Sequence, residues 1–192
     1  MNRRAAVAPV FVDLHPDADR FLQEVTAGLS RPLKELPPKY FYDERGSELF
    51  EAICRLPEYY LTRTELAIMR DHGGEMARHL GPGCAVIEYG SGSGRKTRLL
   101  LKALSPVAYV PIDIAREQLQ VTSAEIAGEF PRLAVTAVCA DYSRSFRLPQ
   151  LAGPPPRRRV VYFPGSTIGN LSLPEAAAFL ANAGPLVGPG GG

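Results

Sequence analysis

The sequence has little of what marks a secreted, metal-held or membrane-embedded protein. It has only three cysteines, Cys54, Cys84 and Cys139, an odd number without metal-ligand spacing. Two fall in runs that read as buried strands, so the expectation is reduced core thiols in a cytoplasmic protein and no metal site. The formal net charge is +2 over 192 residues, which argues neither for nor against a polyanionic partner. No apolar run approaches the ~20 residues of a membrane-spanning helix. Arg3 and Arg4 precede no long apolar core, so a secretory signal is not expected either. No internal repeat is visible. What remains is ordinary globular material, 45% apolar and long enough for one domain or slightly more.

Against that background one stretch stands out, Val86-Ile-Glu-Tyr-Gly-Ser-Gly-Ser-Gly-Arg-Lys-Thr97. It reads as a buried strand, a glycine loop and a helix through Leu99, Leu100, Leu101 and Leu104. Alternate glycines let the backbone turn tightly and approach a ligand closely. The helix that follows aims its free N–H groups and positive dipole end at the loop. A phosphate-binding P-loop fails by one position, because Arg95 stands where the glycine before Lys96 is needed. The dinucleotide fingerprint fails as well, since Arg95 replaces the small residue required for close helix–strand packing. The pattern left is Glu88-x-Gly90-x-Gly92-x-Gly94, which resembles motif I of class I S-adenosylmethionine-dependent methyltransferases. The plain alternative is a tight strand–helix connection without a ligand.

Two later runs repeat the design. Val107 to Asp113 is an apolar strand ending in a carboxylate suited to ribose hydroxyls. Val135 to Tyr142 is another, ending in Asp141 beside an aromatic ring, which suits an adenine amino group and ring face. Taken singly, each acid also reads as a helix cap or a solvated loop residue. A fourth strand, Val160 to Phe163, leads into Pro-Gly-Ser-Thr-Ile-Gly-Asn170. Ser172 and Glu175 then form a capping-box pattern opening a helix to about Ala183. Pro154-Pro-Pro and Arg157-Arg-Arg connect the third and fourth strands; so short a basic run reads as a solvated loop, and nucleic-acid binding is not expected.

Ahead of the glycine loop, residues 1–16 read as an unstructured lead-in. Phe21, Leu22, Val25 and Leu29 have helical spacing within a helix from Asp17 to Leu29. Pro32, Pro37 and Pro38 then predict extended backbone through Lys39 to Asp43. Ser47 is the expected cap of a short helix ending before Pro57. A longer helix is expected from Thr62 or Thr64 through Met76, stopped by Gly81 to Gly83. Tyr40, Phe41, Tyr42, Tyr59 and Tyr60 cluster in two proline-flanked loops. Such rings can cover the open end of a sheet, the reading preferred for Tyr40, Phe41 and Tyr60, or give a pocket an apolar wall with directional hydroxyls.

With these segments in place the chain resembles the histidine Nα-methyltransferases of ergothioneine biosynthesis from about Leu36 onward. The resemblance rests on Leu36-Pro-Pro-Lys-Tyr-Phe-Tyr-Asp-Glu-Arg-Gly-Ser-Glu-Leu-Phe50, Leu56-Pro-Glu-Tyr-Tyr60, Glu88 to Arg98, and Phe163-Pro-Gly-Ser-Thr-Ile-Gly-Asn-Leu171. Fungal enzymes that N-methylate dimethylallyltryptophan look like relatives, so another amino acid substrate stays open. The resemblance implies S-adenosylmethionine as cofactor and L-histidine as substrate. It implies that Gly90, Lys96, Asp113, Asp141 and Tyr142 hold the cofactor, joined by Glu88 and Gly92 from the loop motif. Tyr59 and Asn170 would hold the amino acid's carboxylate and amine. Gly165 and Tyr42 would stand beside the amine, through a carbonyl and a water.

The fold implied is α/β, a class I Rossmann-like sheet preceded by a helical segment with aromatic loops. Residues 1–80 would form that segment and 81–192 the cofactor domain. Counted from the strand before the glycine loop, the four expected strands take the order 3-2-1-4. The family's pattern continues past Gly192, so the chain is expected to be a truncated form lacking the residues that recognise the imidazole. The fourth strand would then be an unpaired apolar edge that invites association. Two rival readings stay open: a non-catalytic nucleoside-binding remnant, and a dinucleotide-binding oxidoreductase domain.

Overall fold

Apolar runs buried on both faces are the signature of a parallel sheet, and three of them form the centre of the five-stranded sheet here. The computed structural model describes residues 8–14 and 18–192. Strands β1 (Val10–Asp13), β2 (Ala85–Tyr89), β3 (Ala108–Asp113), β4 (Ala134–Cys139) and β5 (Arg159–Tyr162) are parallel, in the order β1-β4-β3-β2-β5. Residues of β2, β3 and β4 are buried throughout.

Alternation along the strands divides the core. On one face Val86, Tyr109, Val135 and Val160 pack against Met69 of α3 (Leu61–Leu80), Leu100, Leu101 and Leu104 of α4 (Arg95–Leu104) and Ile126 of α5 (Arg116–Glu129). On the other, Ile87, Tyr89, Val110, Ile112 and Val138 meet Phe179, Ala183 and Leu186 of α6 (Leu173–Val187) and the connection between β4 and β5. Two shorter helices, α1 (Ala18–Ser30) and α2 (Glu44–Ile53), precede α3.

The expected order 3-2-1-4 is present as β4-β3-β2-β5, with one strand more. Val10 to Asp13 form β1, pairing from Val10 beside Thr136 to Asp13 beside Cys139, where a lead-in without structure was expected. Four residues are too few for periodicity to show, and the strand is fixed by a partner far along the chain. Residues 1–7, 15 and 16, which that expectation also covered, lie outside the described residues, as does Asp17, the first residue of the expected helix.

Other differences are local. Pro38–Phe41 is a 3-10 turn, not extended chain; Pro38 at its first position brings a helix-compatible φ and needs no donor. The cap of α2 is Asp43, whose side chain accepts from the Gly46 amide, and Ser47 lies one turn inside. Helix α3 begins at Leu61, and α6 continues through Pro185 to Val187. The capping box at Ser172 and Glu175 forms as its spacing predicts. The β5 edge is partly closed: the Val161 amide donates to the Gly192 carbonyl at 2.8 Å and the Gly192 amide to Arg159 at 3.2 Å. Among the described residues no helix is long and apolar enough to cross a membrane.

Candidate nucleoside and amino-acid site

In an open parallel sheet, ligands sit at the carboxyl ends of strands where the winding reverses. Here that point is β2, flanked by β3 on one side and β5 on the other. The loops leaving β2, β3, β4 and β5 converge there on a cavity of about 1320 Å³.

The glycine loop forms its floor. Gly90, Gly92 and Gly94 have φ of 69°, 47° and 66°, conformations that residues with a Cβ rarely adopt. The Gly90 amide is tied to the Ile112 carbonyl at 2.8 Å. The Gly92 amide donates to Asp113 Oδ2 at 3.2 Å, and the Gly92 carbonyl accepts from Thr122 Oγ1 at 3.0 Å. A Cβ on Gly92 would meet nothing within 4 Å, so the loop's upper surface faces open space. Ser91 Oγ is buried without a hydrogen-bond partner. From behind, Arg98 of α4 reaches the Ser93 carbonyl at 2.8 Å, Glu125 at 2.8 Å and Glu129 at 2.7 Å.

Three acids end the neighbouring strands, and their surroundings differ. Glu88 is 1% exposed and points under the loop. It accepts from Thr97 Oγ1 at 2.7 Å and from the Tyr109 hydroxyl at 2.5 Å. Burial pushes its carboxyl up to about 8, against the smaller pull of those two hydroxyls. Asp113 is also raised by burial, opposed by the amides of Ala115 and Gly92. Asp141 goes the other way: burial would raise it, but Lys39 and Ser143 hold it below the usual carboxylate range. Lys39 Nζ lies 2.7 Å from Asp141 and 2.8 Å from Glu24 of α1. The 3-10 turn is thereby strapped across the mouth of the cavity. Tyr142 follows; its hydroxyl stands 3.4 Å from the position a Cβ on Gly90 would take, and its ring lies 5.5 Å from that of Tyr89. Burial raises the Tyr142 phenol.

The opposite wall is aromatic. Tyr42, Phe50 and Tyr59 form an edge-to-face chain with centroids 6.1 and 5.9 Å apart, a favoured geometry for such rings. Burial raises the Tyr59 phenol, with smaller contributions from Cys54, Tyr42 and Glu65. Gly165, at φ 85°, and Asn170, the exposed last residue of the 3-10 turn Thr167–Asn170, come from the loop after β5. All eleven residues singled out in the sequence line this one cavity: Glu88, Gly90, Gly92, Lys96, Asp113, Asp141 and Tyr142 on one side, Tyr42, Tyr59, Gly165 and Asn170 on the other.

Two charged residues at the site escaped the sequence reading. One is Lys39, on Asp141. The other is Glu65 of α3, whose Oε2 lies 2.7 Å from Lys96 Nζ and whose Oε1 accepts from the Gly165 amide at 2.9 Å. Their partners are distant in sequence; Glu65 lies outside the segments that carry the resemblance, and Lys39, inside the first of them, has no neighbour in sequence that marks it as an ion-pair partner.

A doubly wound parallel sheet with a glycine loop and strand-end acids at its switch point defines a Rossmann-like α/β protein. The sequence profile described as histidine-specific, SAM-dependent methyltransferases matches residues 21–192, and the chain belongs to that family. It is 39% identical over 178 residues to a histidine N-alpha-methyltransferase of Mycolicibacterium smegmatis, covering 90% of this chain and 54% of that protein. Over 172 residues it is 41% identical to the enzyme of the same name from Mycobacterium tuberculosis, covering 88% and 52%. A 4-dimethylallyltryptophan N-methyltransferase of Claviceps purpurea is 31% identical over 173 residues, covering 85% and 49%. The chain thus spans about half the length of the curated relatives it matches.

Proposed function

We propose that this chain carries the cofactor-binding part of an enzyme that trimethylates the α-amino group of L-histidine with S-adenosylmethionine, giving hercynine in ergothioneine biosynthesis. The observation that carries the reading is the meeting, in one cavity, of the glycine loop and strand-end acids with Tyr42, Tyr59, Gly165 and Asn170. The residues present fit the nucleoside. The loop is open above Gly92, a buried Ser91 hydroxyl lacks a partner, and Asp113 and Asp141 line the same cavity. In this reading Gly90, Gly92, Lys96, Asp113, Asp141 and Tyr142 hold the cofactor, while Glu88 supports the loop from beneath. Residues 81–192 form the cofactor part, and residues 1–80 add the aromatic wall and the strap.

When bound, S-adenosylmethionine supplies a sulfonium methyl that is electrophilic without further activation. The work left to the chain is orientation, which can account for a large part of a methyl-transfer barrier. Tyr59 and Asn170 grip the amino acid's carboxylate and amine, and the Gly165 carbonyl and Tyr42 stand beside the amine. Amide and hydroxyl partners orient a neutral amine without the strong ion pair that would keep it protonated. The cavity's aromatic wall displaces water from one side of the reacting centre.

Calorimetric titration with S-adenosylhomocysteine tests the cofactor half, and mass spectrometry of L-histidine incubated with S-adenosylmethionine and the chain tests transfer. Binding of the nucleoside is expected. A folded sample that binds none overturns the reading. Methylation of 4-dimethylallyltryptophan in place of histidine would reassign the substrate within the same family.

A further inference from the structure

Glu65 belongs to neither the segment after the glycine loop nor the turn after β5, yet it bonds to both, through Lys96 in the first turn of α4 and through the Gly165 amide. It projects from the second turn of α3, 29% exposed at its side chain. One carboxylate oxygen takes the Lys96 ammonium at 2.7 Å, and the other takes the Gly165 amide at 2.9 Å. Lys96 is the second residue of α4, just after the glycine loop, and its Nζ lies 3.1 Å from where a Cβ on Gly165 would stand. The ammonium, the carboxylate and the turn are thus in mutual contact, and any larger residue at 165 would press on the lysine. The carboxylate also reaches the amino-acid side electrostatically, since it contributes to raising the Tyr59 phenol after burial, Cys54 and Tyr42.

We propose that Glu65 is a positioning residue that couples the two halves of the site, fixing the turn bearing Gly165 and Asn170 according to how Lys96 is held. This rests on the reading of Lys96 as a cofactor contact and of the turn as an amino-acid contact. A ligand that draws on Lys96 changes the charge balance at Glu65 Oε2, and the same rigid carboxylate carries that change to Oε1 and the Gly165 amide. Charge-assisted hydrogen bonds of this kind are stronger and more directional than neutral ones. The consequence is that nucleoside binding orders the amino-acid turn before any amino acid arrives.

Hydrogen exchange on the whole chain, with and without S-adenosylhomocysteine, tests this directly. In the natural sequence the nucleoside is expected to slow exchange in residues 90–97 and also in residues 165–170, the latter by about fivefold or more. In Glu65→Gln, which keeps an acceptor for Gly165 but loses the ion pair, protection of 90–97 is expected to remain and that of 165–170 to fall to less than about twofold. Glu65→Ala should behave likewise, and if it fails to fold the isosteric Gln variant decides. Glu75→Gln, on the exposed side of the same helix, is expected to match the natural sequence. Equal protection of the turn in Glu65→Gln overturns the coupling, as does a natural chain whose loop alone is protected. If the nucleoside protects neither segment, the cofactor reading itself falls.

Discussion

A carboxyl group with two hydroxyls pointing at it and almost no exposure has one thermodynamic consequence. Glu88 has a folded value of about 8 against an ordinary 4.5, so the native state binds its proton more tightly than the unfolded chain does. Stability from this group is therefore complete below pH 4.5, declines as the pH rises through the interval to about 8, and levels off above it. The full swing is of the order of 3–5 kcal/mol. Glu88→Gln keeps the shape and the acceptor without the proton. Its unfolding free energy, measured in denaturant from pH 5 to 9, is expected to change less with pH than that of the natural chain. A parallel slope in the two proteins would show that another group dominates. At this scale the glycines and Asp113 were legible because backbone geometry dictates their residue types, and strand ends display them in sequence. Glu65 and Lys39 were not, since a charged residue on a helix or turn looks solvated until its distant partner is known.

Among the elements, the strap formed by α1 and the 3-10 turn depends on Lys39. Burial alone would lower that ammonium, but hydrogen bonds to Asp141 and Glu24 raise it. Lys39→Met leaves two carboxylates facing each other in a partly exposed setting. The cost is expected to be about 1–2 kcal/mol after allowance for solvent screening. Hydrogen exchange should quicken in residues 18–42 and remain unchanged in β3 and β4. Unaltered exchange in the strap would mean that the Phe21–Tyr40 contact, at 4.8 Å between centroids, is sufficient to hold it.

Strand β1 depends on a different contact. Phe11 packs on Leu119, Ala137 and Cys139, and Phe11→Ala is expected to cost about 1–3 kcal/mol, read by chemical denaturation. The elements legible in the sequence were those with a strong period or an apolar run. Helix α5 carries neither signal, because three of its five buried residues, Thr122, Ser123 and Ala127, are small or polar and break the stripe that Leu119 and Ile126 would draw. Thr122 is buried because its hydroxyl serves the glycine loop, so function blurred the pattern there.

For the molecule as a whole, a ligand that binds only the native state adds to its stability by mass action. S-adenosylhomocysteine at a hundred times its dissociation constant is expected to add about 2.7 kcal/mol, a rise in melting temperature of roughly 5–10 °C for a chain this size. A melting curve that ignores the nucleoside while calorimetry detects binding would mean that the unfolding unit excludes the site. The sheet makes that outcome unexpected, because the loop, α4 and α5 are fastened together by one side chain. Arg98 grips the Ser93 carbonyl with one arm and two acids of α5 with the others. The glycine loop, despite three residues with the widest conformational freedom, is thus a rigid part when a ligand meets it. The entropy of ordering those glycines is lost once, when the chain folds, and does not recur each time a ligand binds.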